Sequence, residues 1–325
     1  MTLKKLSTGT FITLALATSL TFGLMSIHSA KAKTNLNTIT ASAPSAASLS
    51  AQISGVTSYF LGAGTNTLYV LRPGSEVANR VGVISPVNGI VTEGDFRTAN
   101  NRLYVVTNTG NFYTVNLTNA QATRVATLSP NNNTSQMLDI NPMADAFRWI
   151  GTNELNYAIT KGANGVFNTV AVQTPVAYIQ GDPNRGANPN IVGGAYDNNQ
   201  NGLATTTFYF ADSATNQFGT INDRTAAGSS NTGGGRLQTV GALFDQNGRV
   251  NITPNSGFDI ATFPQLGNLN IGLLVTTGKV TAVFTTQIPR TIPVGSGVNL
   301  GGFSQRLVGS DGQTRFSDVM IPIQQ

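Results

Sequence analysis

The stretch Asp95-Phe96-Arg97, Asn101-Arg102-Leu103-Tyr104-Val105-Val106-Thr107, Asn108-Thr109-Gly110-Asn111, Phe112-Tyr113-Thr114-Val115-Asn116 decides the fold. Two short runs of β-branched and aromatic residues flank an Asn/Thr/Gly turn, which is the pattern of a β-hairpin. The same pattern returns 44 residues later. Asp95-Phe96-Arg97 falls on Asp139-Ile140-Asn141, Leu103-Tyr104-Val105-Val106 on Phe147-Arg148-Trp149-Ile150, and Arg80-Val81 on Arg124-Val125, while Tyr69, Tyr113 and Tyr157 share one frame. A period near 44 with about four strands per unit is the blade of a β-propeller.

Working outward, later units are stretched but recognisable. They include Ala195-Tyr196-Asp197 with Thr207-Phe208-Tyr209-Phe210, and then Gly257-Phe258-Asp259-Ile260. Insertions at 181–190 and 228–235 read as loops. Five units start near Ala51, Asp95, Asp139, Gly193 and Ser256. The closing Phe316-Ser317-Asp318-Val319-Met320-Ile321 resembles another first strand, able to complete the first blade and close the ring. The expectation is an all-β chain folded as a propeller of five four-stranded blades. Six is the alternative, because 166–192 has room for another.

The N-terminus has a different character. Met1-Thr2-Leu3-Lys4-Lys5-Leu6 leads into an apolar run from Gly9 to Ile27 that ends at Ala30-Lys31-Ala32, the layout of a secretory signal peptide cleaved before Lys33. An uncleaved anchor is the competing reading, weakened by Thr10, Thr13, Thr18, Ser19 and Thr21. Residues 1–32 are therefore expected to be a signal peptide. Residues 33–54, rich in Ser, Ala and Thr, are expected to be a disordered spacer, since they carry too little apolar surface to offset the entropy of ordering. Residues 55–325 are expected to be the propeller. The product is exported, periplasmic or extracellular, with no membrane span after cleavage because no later segment approaches about 18 consecutive apolar residues.

Cleavage would change the chemical inventory. The chain has no Cys, and its one His is His28, inside the leader. Removing residues 1–32 from the 325 leaves 293, and Lys4, Lys5 and Lys31 go with them, so 16 basic residues face 14 acidic ones. A net charge of +2 is no nucleic-acid footprint. Without His or Cys, Ser-His-Asp and Cys-His catalysis are excluded, and so are zinc, copper and haem sites with their usual ligands. No cofactor is expected.

Oxygen-ligand chemistry survives this filter. Asp182-Pro183-Asn184-Arg185-Gly186 begins like a calcium loop, but Gly193 stands where the twelfth-position Glu belongs, and an Asx turn explains Asp182 and Asn184 more simply. Glu93, Asp95, Asp139 and Asp259 are the candidate catalytic acids if they line the channel. A residue recurring once per blade more often does a structural task, here expected to be capping the turn into the first strand. Arg97 is the candidate ligand-binding residue, an anion contact if it projects toward the channel. Trp149 is expected to pack in the core.

Gly94-Asp95-Phe96-Arg97, Asn101-Arg102-Leu103-Tyr104, Leu138-Asp139-Ile140-Asn141-Pro142, Gly181-Asp182-Pro183-Asn184, Gly193-Gly194-Ala195-Tyr196 and Gly257-Phe258-Asp259-Ile260 occur in an order similar to that of exported bacterial proteins grouped as domain of unknown function 4394. The resemblance runs from Tyr59 to the C-terminus. It implies a propeller and export, and supplies no catalytic residue. The expected function is a non-catalytic binding or surface-interaction protein, monomeric, whose polar face contacts a glycan, peptide or envelope component. The alternatives are a polysaccharide hydrolase or lyase using the channel acids, and a structural envelope protein.

Overall fold

The computed structural model describes residues 56–132, 134–200, 205–221, 234–284 and 300–323. The expected signal peptide and spacer, His28 and most of the 228–235 insertion lie outside the described residues. Five sheets make up the described residues. Taking the innermost strand first, blade 1 runs Phe316–Met320, Ser58–Gly62, Thr67–Leu71, Val77–Val83, and blade 2 runs Val91–Arg97, Arg102–Thr107, Asn111–Val115, Ala122–Thr127. Blade 3 runs Ser135–Asn141, Ala146–Gly151, Asn156–Lys161, Phe167–Val172. Blade 4 runs Ile191–Tyr196, Phe208–Asp212, Gln217–Ile221, Arg236–Gly241, and blade 5 runs Gly257–Phe263, Leu269–Thr276, Lys279–Phe284, Leu300–Arg306.

The inner strands touch in the cyclic order of blades 1, 2, 3, 4, 5 and back to 1. The ring closes through the C-terminal strand, which pairs antiparallel with the first described one, Phe60 opposite Val319 and Tyr59 opposite Met320. Closure removes the inner edge that blade 1 would otherwise expose. The chain is thus a five-bladed propeller. Residues 166–192, the place reserved for a sixth blade, hold the outer strand of blade 3, a loop, the short Ala177–Tyr178 strand lying parallel along the rim of blade 4, and the first two residues of that blade's inner strand, with no further sheet.

Burial falls from axis to rim for a simple reason. An inner strand is covered on both faces by its neighbouring blades, so Gly257–Phe263 is buried throughout. An outer strand such as Phe167–Val172 faces water along most of its length. The apolar core is accordingly divided into five clusters, each filling one joint between blades. Leu61 and Met320 meet Phe96 at joint 1–2, and Tyr104 and Phe112 meet Phe147 and Trp149 at joint 2–3. Met137 and Ile150 meet Tyr196 and Phe208 at joint 3–4, and Tyr209 and Phe218 meet Phe258 at joint 4–5. Phe60 and Tyr69 meet Ile271 and Leu273 at joint 5–1. Trp149 is fully buried as expected, its Nε1 donating to Ser135 Oγ at 2.6 Å.

Two glycines set how closely inner strands approach. A Cβ on Gly193 would stand 2.3 Å from the backbone nitrogen of Phe258, and one on Gly257 would stand 2.5 Å from Cα of Asp318. Among the described residues the one helical element is the 3-10 turn Pro264–Leu266, and no helix is long and apolar enough to cross a membrane.

Candidate functional site

Each inner strand has one residue at its repeat-equivalent centre: Asp318, Asp95, Asp139, Ala195 and Asp259 in blades 1 to 5. All four aspartates are buried. They sit in mid-strand, so the expectation that they cap a turn is corrected. What they do instead is cross the joints. Asp318 Oδ2 accepts from Gly94 N–H of blade 2 at 2.9 Å, and Asp95 Oδ2 from Ile140 N–H of blade 3 at 2.7 Å. Asp139 Oδ1 accepts from Tyr196 N–H of blade 4 at 3.0 Å, and Asp259 Oδ2 from Ile321 N–H beyond the inner strand of blade 1 at 2.6 Å. Asp318, Asp95 and Asp259 use the other oxygen for the N–H of the next residue, Val319, Phe96 and Ile260.

The clamps draw the carboxylates together on the axis. Asp95, Asp139 and Asp259 each place an oxygen within 4.8 Å of the others. Glu93 lies two residues before Asp95 on the same strand and is only 4 % exposed. Removal from water, and after it repulsion from Asp318, pushes the Glu93 carboxyl well above the usual range. Burial and then the charge of Asp259 raise Asp95 in the same way, with the N–H groups of Ile140 and Phe96 pulling against them. Asp139 is raised by burial and by Asp95 and Asp259, and Asp318 by burial and Asp259. Burial lifts Asp259 to about 7, against its two N–H donors. The four ion pairs among the described residues join other acids, and none reaches these five.

Joint 4–5, where Ala195 replaces the aspartate, is closed by amides. Asn198 N–H donates to Asn270 Oδ1 and Asn270 Nδ2 returns a bond to Asn198 Oδ1, both at 3.0 Å. Thr262 Oγ1 donates to Asn270 Oδ1 at 2.6 Å and accepts from Asn199 N–H at 2.8 Å. At the same end of the channel, Thr98 of blade 2 donates across the axis to Asn199 Oδ1 at 2.5 Å. That end is therefore bridged by protein, and the loops at the opposite end surround the other mouth.

The remaining sequence candidates lie off the axis. Arg97 does not project into the channel; its Nε and Nη2 grip Asp145 Oδ1 and Oδ2 at 2.7 and 2.5 Å, with its guanidinium 5.3 Å over the ring of Phe167. Lys161 reaches the same Asp145 carboxylate, so Arg97 is one member of a local ion triad between blades 2 and 3. Asp182 accepts from Asn184 N–H at 2.9 Å in an Asx turn, and from Thr239 N–H and Oγ1, each at 2.7 Å, which tie the loop to the outer strand of blade 4. Asn184 Nδ2 donates to Thr239 Oγ1 at 2.8 Å.

Two residues escaped the sequence reading. Asp318 was legible in principle, since Ser317-Asp318-Val319 matches Phe258-Asp259-Ile260 in form. Arg148 stands at the second-strand position held by Leu61, Tyr104, Tyr209 and Leu273 in the other blades. It is buried in joint 3–4, donating from Nε to Tyr196 Oη at 2.7 Å and from Nη1 to Asn156 Oδ1 at 3.0 Å, its guanidinium 5.5 Å from the ring centre of Phe208. The signal was a lone charge in an otherwise apolar row of the repeat.

Comparison with known proteins adds a family but no chemistry. The profile described as domain of unknown function (DUF4394) matches residues 72–288. The curated proteins contain no match. Among solved structures, a structural genomics protein of unknown function from Bacteroides thetaiotaomicron is 18 % identical, with a TM-score of 0.43 over 63 % of this chain and 50 % of its own. The Dos1 propeller is 10 % identical, with a TM-score of 0.36 over 68 % of this chain and 52 % of its own. The chain thus spans about half the length of these two structures.

Proposed function

The chain belongs to the DUF4394 family, whose description assigns no activity, and from the geometry of its channel we propose that it is a non-catalytic binding or surface-interaction protein. The observation that carries this reading is that Asp95, Asp139, Asp259 and Asp318 are buried and engaged in bonds between blades. A glycosidase needs two carboxyls whose environments push them apart, one held protonated and one ionised, on either side of a substrate. Here all five acids are pushed the same way by the same burial.

What is left for recognition is the mouth where the inner strands begin. It is framed by the crossings at 84–90, 128–134, 173–190, 246–256 and 310–315, and by hairpins such as 108–110 and 152–155. These segments are rich in Asn, Thr, Ser and Gly, whose neutral donors and acceptors suit hydroxyls and amides better than a highly charged partner. A glycan, a peptide or an envelope component fits that surface. The leader of residues 1–32 supports a place outside the cytoplasm.

The test is binding of the purified protein to arrays of glycans and peptidoglycan fragments, with product release followed in parallel. Saturable binding without turnover is the expected result. Turnover that disappears in Glu93→Gln, a change that breaks no clamp, would replace this reading with the hydrolase.

A further inference from the structure

The five blades differ at their outer edges. In three of them a short extra strand, taken from the segment that enters the blade, lies parallel along the outermost strand: Val308–Gly309 on blade 1, Ala177–Tyr178 on blade 4 and Leu243–Asp245 on blade 5. Blade 2 has the same contact in its smallest form, Ser85 opposite Gln121, with Ser85 N–H donating to the Ala120 carbonyl at 3.2 Å and Ala122 N–H to the Ser85 carbonyl at 2.9 Å. Blade 3 has no such cover among the described residues, and Phe167–Val172 ends its sheet.

Charge follows the same division. The outer strands of blades 1, 2, 4 and 5 each carry an exposed arginine, Arg80, Arg124, Arg236 and Arg306. Phe167-Asn168-Thr169-Val170-Ala171-Val172 carries no charge and no proline. Covering a sheet edge and charging it both keep other strands from adding to it, and blade 3 lacks both. We propose that this edge is an interface through which two copies of the chain pair, Phe167–Val172 of one lying antiparallel to the same strand of the other about a two-fold axis near Val170.

The backbone is set for that pairing. Gln173 N–H donates inward to the Asn156 carbonyl at 2.8 Å, so by the alternation of an antiparallel ladder Ala171 also faces inward, while Val170 and Val172 direct their N–H and C=O groups outward. The side chains agree. Val172 is 68 % exposed, more than any other large apolar side chain among the described residues.

The occupant follows from number and charge. One open, uncharged edge per chain is satisfied by a single two-fold partner, and the pairing then stops at a dimer. An isologous contact sets each strand against its own copy, so a charged strand would meet like charge. This strand brings none, and it offers nothing to attract a charged peptide. The rim contact is independent of what the mouth of the channel binds.

The experiment is sedimentation velocity on the purified protein over a dilution series. A dimer that dissociates on dilution is expected. Val172→Lys gives blade 3 the charge that the other blades carry, and should weaken the dimer about tenfold or more by bringing like charges together and removing a valine from the contact. Val83→Lys, at an exposed position on the covered blade 1, should leave association unchanged. Because the chain has no Cys, Val170→Cys places one thiol per copy beside the two-fold axis, and a short bis-maleimide should join two chains through it, whereas Val83→Cys should not be joined. A monomer at every concentration would overturn the proposal and leave the edge to an extended segment of another protein. So would a dimer that survives Val172→Lys in folded protein, or equal linkage of the two cysteine variants.

Discussion

Four joints of the ring and the fifth are closed by different chemistry. At joints 1–2, 2–3, 3–4 and 5–1 a buried aspartate crosses to a backbone N–H of the next blade. At joint 4–5 the equivalent place is Ala195, inside an apolar cluster with Phe258, and the crossing is made by Asn198, Asn199, Thr262 and Asn270 near the end of the channel. The difference teaches that a propeller joint requires two things, apolar filling and an acceptor for the N–H groups that neighbouring strands leave unpaired. A carboxylate meets the second need but adds charge to the axis. Amides meet it without charge, which leaves blade 4 contributing no acid to the cluster.

The strongest way to break this comparison is steric. Gly193 is where blade 4 comes closest to blade 5, and a methyl there meets the backbone nitrogen of Phe258, which no side-chain rotation relieves. Gly193→Ala should cost about 3 kcal/mol, read as a drop in the urea midpoint. Retention of wild-type stability would mean that joint 4–5 is looser than its geometry indicates.

The comparison sharpens when one clamp and the amide network are removed separately. Asp95→Ala leaves the buried N–H groups of Ile140 and Phe96 without acceptors and should cost about 2–3 kcal/mol. Asp95→Asn keeps an acceptor for one of these two N–H groups and removes a charge repelled by Asp259, so it should lose less than Asp95→Ala. Asn270→Ala at the fifth joint should cost about 1–2 kcal/mol, with Asn270→Asp no better than alanine because a carboxylate cannot donate to Asn198. Equal losses for Asp95→Ala and Asp95→Asn would show that the charge, and not the acceptor, is what the ring uses.

The smallest effect belongs to the triad outside the joints' core. Burial by itself would raise Asp145, but hydrogen bonds from Arg97 and then Lys161 outweigh it and hold the carboxyl below its ordinary value. A depressed carboxylate contributes stability that is full above the unfolded-state value near 3.9 and fades as pH falls through the folded one. At neutral pH, Asp145→Asn should lose at most about 1 kcal/mol, and the gap from wild type should narrow on acidification below about pH 4. A gap that widens in acid would contradict the assignment of the triad.

Much of this was legible before the structure. Alternating apolar residues with Asn/Gly turns specify strands locally, and the step from Tyr69 to Tyr113 to Tyr157 needs no tertiary information. The repeat exposed Asp95, Asp139 and Asp259 as equivalent, and the ending Phe316 to Ile321 revealed closure. The direction of side chains was harder. Arg97 is two residues beyond Asp95 and was a candidate for the channel only if it projected there; its guanidinium turns instead to Asp145, on the turn between the first two strands of blade 3, a partner 48 residues away. Asp182 read more simply as an Asx turn than as a cation loop, and the turn is there, but only the fold shows Thr239 donating to it across 57 residues.

The sequence by itself determined the strand pattern and the period, because these depend on side-chain alternation and turn residues within a few positions of one another; that the ring has five blades and not six was decided by the structure, where 166–192 adds no further sheet. The tertiary structure alone decided that four aspartates and Glu93 meet in one buried channel, and that joint 4–5 uses amides. Those contacts form only when ring closure brings together residues 45 to 224 positions apart, and no local pattern records which side chain will then face the axis.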